Sequence, residues 1–255
     1  MKQLLPLLIF LCGWMTSVRA QEKADIVYYY DADWKLSKQK NAMYLVHILS
    51  MDDSCRQVRY YNNLGPCMRV ESYRDKALKV RHGVFAWYNT GGQLDSCGAY
   101  YEGLPDKTWI YPDAMGKIGK IKVYDKGQLK QNLDPSQKAP ATGLPDAANP
   151  PAVKVEIESA FPGGLQGWGG YLRKNFHYPD RAVDHKIQGE VRVFFIVDTL
   201  GRVREPQLLR SVEYSIDDSS LWILQNSPDW IPALQNGHKV KSFKTQPIVF
   251  RLRPA

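Results

Sequence analysis

Between Gln131 and Ala152 the chain carries five prolines and almost no large apolar side chain. Such a stretch cannot build a core, and proline, with φ fixed and no N–H to donate, biases the backbone toward extended conformations. Residues 131–152 therefore read as a semi-stiff linker, and the segments on either side, 21–130 and 153–255, must each bury apolar surface of their own. Both are long enough to fold as units.

Residues 1–20 read as an export signal. Lys2 precedes the apolar run Leu4–Trp14, and small residues stand at Val18 and Ala20, where a signal peptidase cuts. The run falls well short of the roughly 20 residues that span hydrocarbon, so the expectation is a cleaved signal and a periplasmic chain with no integral membrane segment. Retention as an inner-membrane anchor is the alternative. The net charge of +8 is dispersed along the chain, without a basic stripe or a reading element, which argues against nucleic acid as a partner. Three cysteines remain after the signal, Cys55, Cys67 and Cys97. Cys55 and Cys67 flank a turn-like segment around Tyr60–Gly65 and are a plausible disulfide pair, with the connectivity left open.

Upstream of the linker, strand-sized runs rich in aromatic and β-branched residues recur: Ile26–Tyr30, Ala42–Leu49, Gln57–Tyr61 and Gly83–Tyr88. Between them Asn62–Gly65, Asn89–Gly92 and Asp125–Gly127 supply tight-turn residues. Segments around 59–65, 84–94 and 121–129 resemble one another, which predicts a meander of repeated hairpins stacking their apolar faces. With Gly98–Trp109, this half resembles the MORN-type, antitoxin-like hairpin repeats of exported bacterial proteins. Its many tyrosines suit half-buried strands, and the alternative use of exposed rings is contact with a glycan.

Downstream, Val153–Glu158 alternates as an extended arm. Trp168, Tyr171, Leu172 and Phe176 predict a helix over 165–175, and Pro179 opens a second over 180–186, with Ala182, Val183 and Ile187 toward a sheet. Val191–Asp198 is the clearest strand, with Val191, Val193, Phe195 and Val197 on one face. The turn 198–201 leads to an antiparallel partner over 202–210 in which Pro206 marks an edge or bulge. A helix over 217–226, begun by Asp217 or Asp218, and two strands, 239–244 and 247–253, complete an α+β unit of antiparallel sheet and two or three short helices.

Phe161-Pro162-Gly163-Gly164, Tyr178-Pro179, Ile187–Val193, Gly201-Arg202-Val203, Trp230–Ala233, Gln235–Gly237 and Pro247–Phe250 occur in an order that closely resembles the C-terminal domain of TonB. That family transduces energy in Gram-negative envelopes. The resemblance implies binding of the box peptide of a TonB-dependent outer-membrane receptor, or of another envelope protein, by β-strand addition in support of energy-coupled transport. Carried over by position, the receptor-contact region is Asn175, Phe176, His177, Tyr178 and Pro179, and the pairing edge is Ile248, Val249, Phe250 and Arg251. Of these, Asn175, His177, Tyr178, Pro179, Val249 and Arg251 are the expected contacts. Phe176, Ile248 and Phe250 equally suit core packing. A second copy of the chain is a further expected partner. The short linker and cleaved signal depart from a full transducer, so the alternative is an adaptor whose hairpins hold a protein or glycan without relaying energy.

Catalytic motifs are not evident. Glycines 163–170 lack both phosphate-loop orders, the five histidines form no His-Glu-x-x-His, and no Gly-x-Ser-x-Gly elbow occurs. The expectation is a non-enzymatic protein without cofactor or metal.

Overall fold

The computed structural model describes residues 25–52, 55–134 and 155–252. The expected signal at 1–20, most of the linker and the start of the arm at 153–158 lie outside the described residues. The first half is one antiparallel sheet of nine strands in chain order: β1 (Asp25–Tyr30), β2 (Tyr44–Asp52), β3 (Cys55–Asn62), β4 (Cys67–Tyr73), β5 (Gly83–Tyr88), β6 (Leu94–Tyr101), β7 (Leu104–Pro112), β8 (Ile118–Asp125) and β9 (Gln128–Leu133). The expected turn segments connect β3 to β4, β5 to β6 and β8 to β9. Lys126 and Gly127 take φ of 44° and 89°, as a two-residue hairpin connection demands. The hairpins join edge to edge into a single sheet, the expected meander.

Alternation assigns the two faces of this sheet. Leu45, Tyr61, Cys67, Val70, Ala86, Leu94, Cys97 and Ile110 share an inner buried cluster. Tyr60, Phe85, Trp87, Tyr100, Trp109 and Tyr124 fall on the outer face. Gly98 is required there, because a Cβ would meet the Trp109 ring at 2.1 Å. The Cys55–Cys67 pairing, which the sequence left open, does not form. Cys67 stands opposite Tyr61 beside the turn, whereas Cys55 begins β3 at the other end of the hairpin, near the Arg56 to Tyr73 pair.

The second half comprises α1 (Gly164–Asn175), α2 (Asp180–Asp184), β10 (Gly189–Val197), β11 (Val203–Arg210), α3 (Tyr214–Gln225), β12 (Ala233–Gln235), β13 (His238–Val240) and β14 (Ser242–Phe250). Three strands form a sheet of order β11-β10-β14, and β12 pairs with β13. Val191, Val193, Phe195 and Val197 of the central strand face the helices in one core with Trp168, Ile216, Leu224 and Trp230. Three expectations are corrected. Helix α3 begins at Tyr214, because Glu213 is its N-cap and accepts the Ser215 N–H at 2.9 Å. Val183 is 44% exposed, and Ala182 alone of the α2 residues is buried. The expected strand 239–244 is divided between β13 and β14, and β14 runs unbroken over 242–250, since Pro247 lies on a sheet edge, where its missing N–H costs no ladder bond.

The two halves pack on each other. Phe194 and Leu209, on the helix-free face of the small sheet, enter the inner cluster of the large one, with Tyr214 and Phe243 against it. The backbone continues this contact: Ser211 N–H donates to Gly92 O at 2.8 Å, and Gln93 forms a bridge with Arg210. Helices, three-stranded sheet and nine-stranded sheet thus make successive layers, with buried apolar residues on both sides of β10.

Candidate functional site

A sheet covered on both faces can meet an extended partner only along an edge. The β11 edge is obstructed by Pro206, by Glu205 at φ 50°, by register shifts and by the Gln93 to Arg210 bridge. Strand β14 is the other edge, hydrogen-bonded to β10 from Ser242 to Phe250. Pro247 stands opposite Arg192, and having no N–H it belongs at a position whose backbone faces away from β10. By the two-residue period, the backbone groups of Thr245 and Val249 face outward as well, while Ile248 and Phe250, 1% and 0% exposed, hold the strand in the core. Val249 itself is 44% exposed, and Arg251 follows it in solvent. Leu252 N–H donates to the Gln188 side chain at 2.9 Å and fixes the chain as it leaves the sheet.

The loop from Asn175 to Pro179 meets β14 at its C-terminal end. Phe176 and Tyr178 pack on Phe250 with ring centroids 4.8 Å and 5.4 Å away. The Tyr178 hydroxyl donates to Ile187 O at 2.6 Å, and burial pushes its pKa upward. Asn175 caps α1 by donating to Tyr171 O at 2.8 Å, and the Pro179 carbonyl accepts the Ala182 and Val183 N–H groups at 3.0 Å. The exposed His177 accepts from the Ser219 hydroxyl through its carbonyl at 3.2 Å. The structure thus brings both expected segments to one end of the sheet. There Phe176, Ile248 and Phe250 are packing residues, and His177, Val249 and Arg251 are the exposed ones.

Beside β14 the two halves splay apart. A cleft of about 440 Å³ opens between Lys117 and Ile118, at the start of β8, and Glu190, Arg192, Thr245 and Pro247 of the small sheet. Glu190 and Arg192 are paired at 2.6 Å across its floor.

Sequence reasoning missed the polar seam that locks the halves together. Arg59 on β3 meets Asp218 on α3 at 2.5 Å, with the fully buried His47 3.6 Å from the same carboxylate. Arg181 on α2 binds Glu213 at 2.6 Å and reaches Asn63 in the β3–β4 turn. Cys67 N–H donates to Ser211 Oγ at 2.7 Å, and Ser211 in turn donates to Asp217 at 2.5 Å. Val212 N–H supplies the second bond to Asp217, whose pKa burial lifts from 3.8 to about 7. Asp217 and Asp218 look like helix-start residues in the sequence; Asp217 bonds its near neighbours Ser211 and Val212, whereas Arg59, the partner of Asp218, lies more than a hundred positions away and nothing local marks it.

Among the described residues no group of three His, Cys, Asp or Glu side chains is placed to hold a metal ion, and no helix is long and apolar enough to cross a membrane. Burial raises the Cys67 and Cys97 thiols, the latter to about 12, which removes thiolate chemistry from the junction.

Residues 174–252 match the family described as the C-terminal of the Gram-negative bacterial TonB protein. The matched stretch runs from the end of α1 past β14, so it contains the 175–179 loop and the accessible edge, and it stops short of the nine-stranded sheet. Among curated proteins none matches the chain.

Proposed function

We propose that the chain is a TonB-type envelope protein that docks an extended peptide of an outer-membrane receptor along β14. The observation that carries this reading is the accessible edge itself: a nine-residue strand inside the family-matched stretch, with core-anchored side chains at Ile248 and Phe250 and outward backbone groups at Thr245 and Val249. An added strand gains main-chain hydrogen bonds from those groups, and its alternate side chains extend over the cleft at Lys117 and Arg192. Arg251 and His177 lie at the end where the peptide leaves the sheet and supply charge and hydrogen-bonding contacts. The action is recognition, without bond making or breaking, and the periplasm is the compartment that the apolar opening of the chain favours.

Titration calorimetry of the full chain with box peptides from TonB-dependent receptors tests the reading. Val249→Pro removes an outward N–H and leaves the β10 ladder intact, so it should weaken binding about tenfold, the worth of one or two main-chain hydrogen bonds. An unchanged affinity in a variant with the wild-type circular dichroism spectrum would reject this edge.

A further inference from the structure

The outer face of the nine-stranded sheet belongs to neither buried cluster, yet it is not the Thr, Lys and Glu surface that a water-facing sheet carries. Rings run across it from β4 to β8. Tyr73 and Phe85 are 5.6 Å apart, Phe85 and Tyr100 4.9 Å, Tyr100 and Trp109 5.2 Å, and Trp109 and Tyr124 6.4 Å. Phe85 and Trp109 are buried as a floor, while Trp87, Tyr100, Tyr111 and Tyr124 remain part-exposed above it.

Cations gather on the same face. The cross-strand register places Arg56 opposite Tyr73, Arg69 opposite Tyr60 and Trp87, Lys122 opposite Trp109 and Lys120 opposite Tyr111. Arg81 lies over Tyr100 at 5.2 Å. Glu71, paired with Arg69 at 3.3 Å, and Glu102, beside Arg74 and His82, are carboxylates among them. At the β7–β8 end this belt deepens into a cleft of about 530 Å³ lined by Tyr111, Asp113, Lys120, Lys122 and Asp134. Lys122 Nζ stands 5.4 Å from the centre of the Tyr111 ring.

From this combination we infer that the outer face binds an acidic glycan, with a sugar ring laid on Tyr111, its anionic group between Lys120 and Lys122, and the following sugars along the ring belt. Each element of the site answers one part of that chemistry. A flat aromatic face matches the C–H face of a pyranose at little entropic cost. Ammonium groups hold a carboxylate, sulfate or phosphate as point charges. Asp113 at the rim spends Oδ1 on the Met115 and Lys117 N–H groups at 2.8 and 3.0 Å and keeps Oδ2 to accept a sugar hydroxyl. A lipid surface would call for a protruding apolar patch, whereas the rings here lie in a recess with charged walls. The site is separate from β14, so it stands or falls independently of peptide docking.

The experiment is a calorimetric titration of the full chain with a short oligogalacturonate, run beside its neutral oligogalactose counterpart, a single-stranded oligonucleotide and phosphatidylglycerol vesicles. The acidic glycan should bind, its affinity should fall with added salt, and each of the other three should bind at least about tenfold more weakly. Tyr111→Ala and the double variant Lys120→Glu with Lys122→Glu should each lower the affinity about tenfold or more at an unchanged melting temperature, and Val249→Pro should leave it as in wild type. Absence of oligogalacturonate binding, equal binding of the oligonucleotide or the vesicles, or insensitivity to both surface variants would overturn the inference.

Discussion

Asp217 makes stability depend on pH in the direction opposite to that of an ordinary ion-paired carboxylate. It is fully buried between α3 and the large sheet, and burial, aided by the nearby Asp218 and Glu213 charges, lifts its pKa from 3.8 to about 7 in spite of bonds from Ser211 and Val212. Unfolding returns it to the ordinary value. Between about pH 4 and pH 7 the folded chain therefore binds more protons than the unfolded one, and stability falls as pH rises through that window. At about 1.4 kcal/mol per decade, the loss from this one group is on the order of 4 kcal/mol by pH 8. Asp217→Asn keeps an oxygen for Val212 N–H but makes Ser211 accept from both Cys67 and the new amide, which costs about 1 kcal/mol at every pH. Urea unfolding of both proteins at pH 5 and pH 8 separates these terms. The asparagine variant should be the more stable protein at both values, by under about 1 kcal/mol at pH 5, where the wild-type carboxyl has begun to lose its advantage, and by roughly 3 kcal/mol at pH 8. A constant stability difference across the range would refute the assignment of a neutral carboxyl to the folded junction.

Three further outcomes follow from the packing. Arg59→Ala leaves Asp218 without its guanidinium in a part-buried seam and should cost about 3 kcal/mol in urea unfolding, whereas the double variant Arg59→Ala with Asp218→Ala should recover at least half of that loss. Gly98→Ala drives a methyl into the Trp109 ring, so thermal melting should drop by several degrees, and Trp109→Ala in the same chain should relieve part of the strain. Cys67 and Cys97 should react with a thiol reagent in native buffer at pH 8 at the rate of global unfolding, with full reaction only in denaturant, because burial holds both thiols protonated and out of reach.

What could be read from the sequence follows from how local each signal is. The alternation of Val191 to Val197 is complete within nine residues, and it locates the central strand and its helix-facing side. The turn residues at Asn62–Gly65 and Asp125–Gly127 act within four positions, and the hairpins stand where they point. Pro247 was ambiguous because proline breaks an interior strand and is harmless on an edge, and only the β10 register shows which case applies. Glu213 as the cap of α3 competes with two equally good candidates a turn later, and the choice is made by Asp217 and Asp218 being drawn into the junction. The junction itself left no pattern, since nothing near Phe194 or Leu209 in the sequence names the large sheet as what covers that face of the strands.

That junction limits what recognition remains available to the small sheet. With helices on one face and the large sheet on the other, a three-stranded sheet offers a partner no apolar face, so the affinity of any docked peptide must come from main-chain bonds at β14 and from contacts at the rim of the cleft. Main-chain bonds are blind to sequence, and selectivity then falls to the few side chains that meet the peptide from the side. Lys117 and Ile118 in that rim stand at the start of β8, so the proposed docking puts part of the discrimination outside the family-matched stretch 174–252. A Lys117→Glu change should accordingly leave neutral box peptides bound as before and weaken acidic ones about tenfold in the same titration, at low salt. Equal effects on both peptide classes would mean that the large sheet only supports the edge and does not read what binds there.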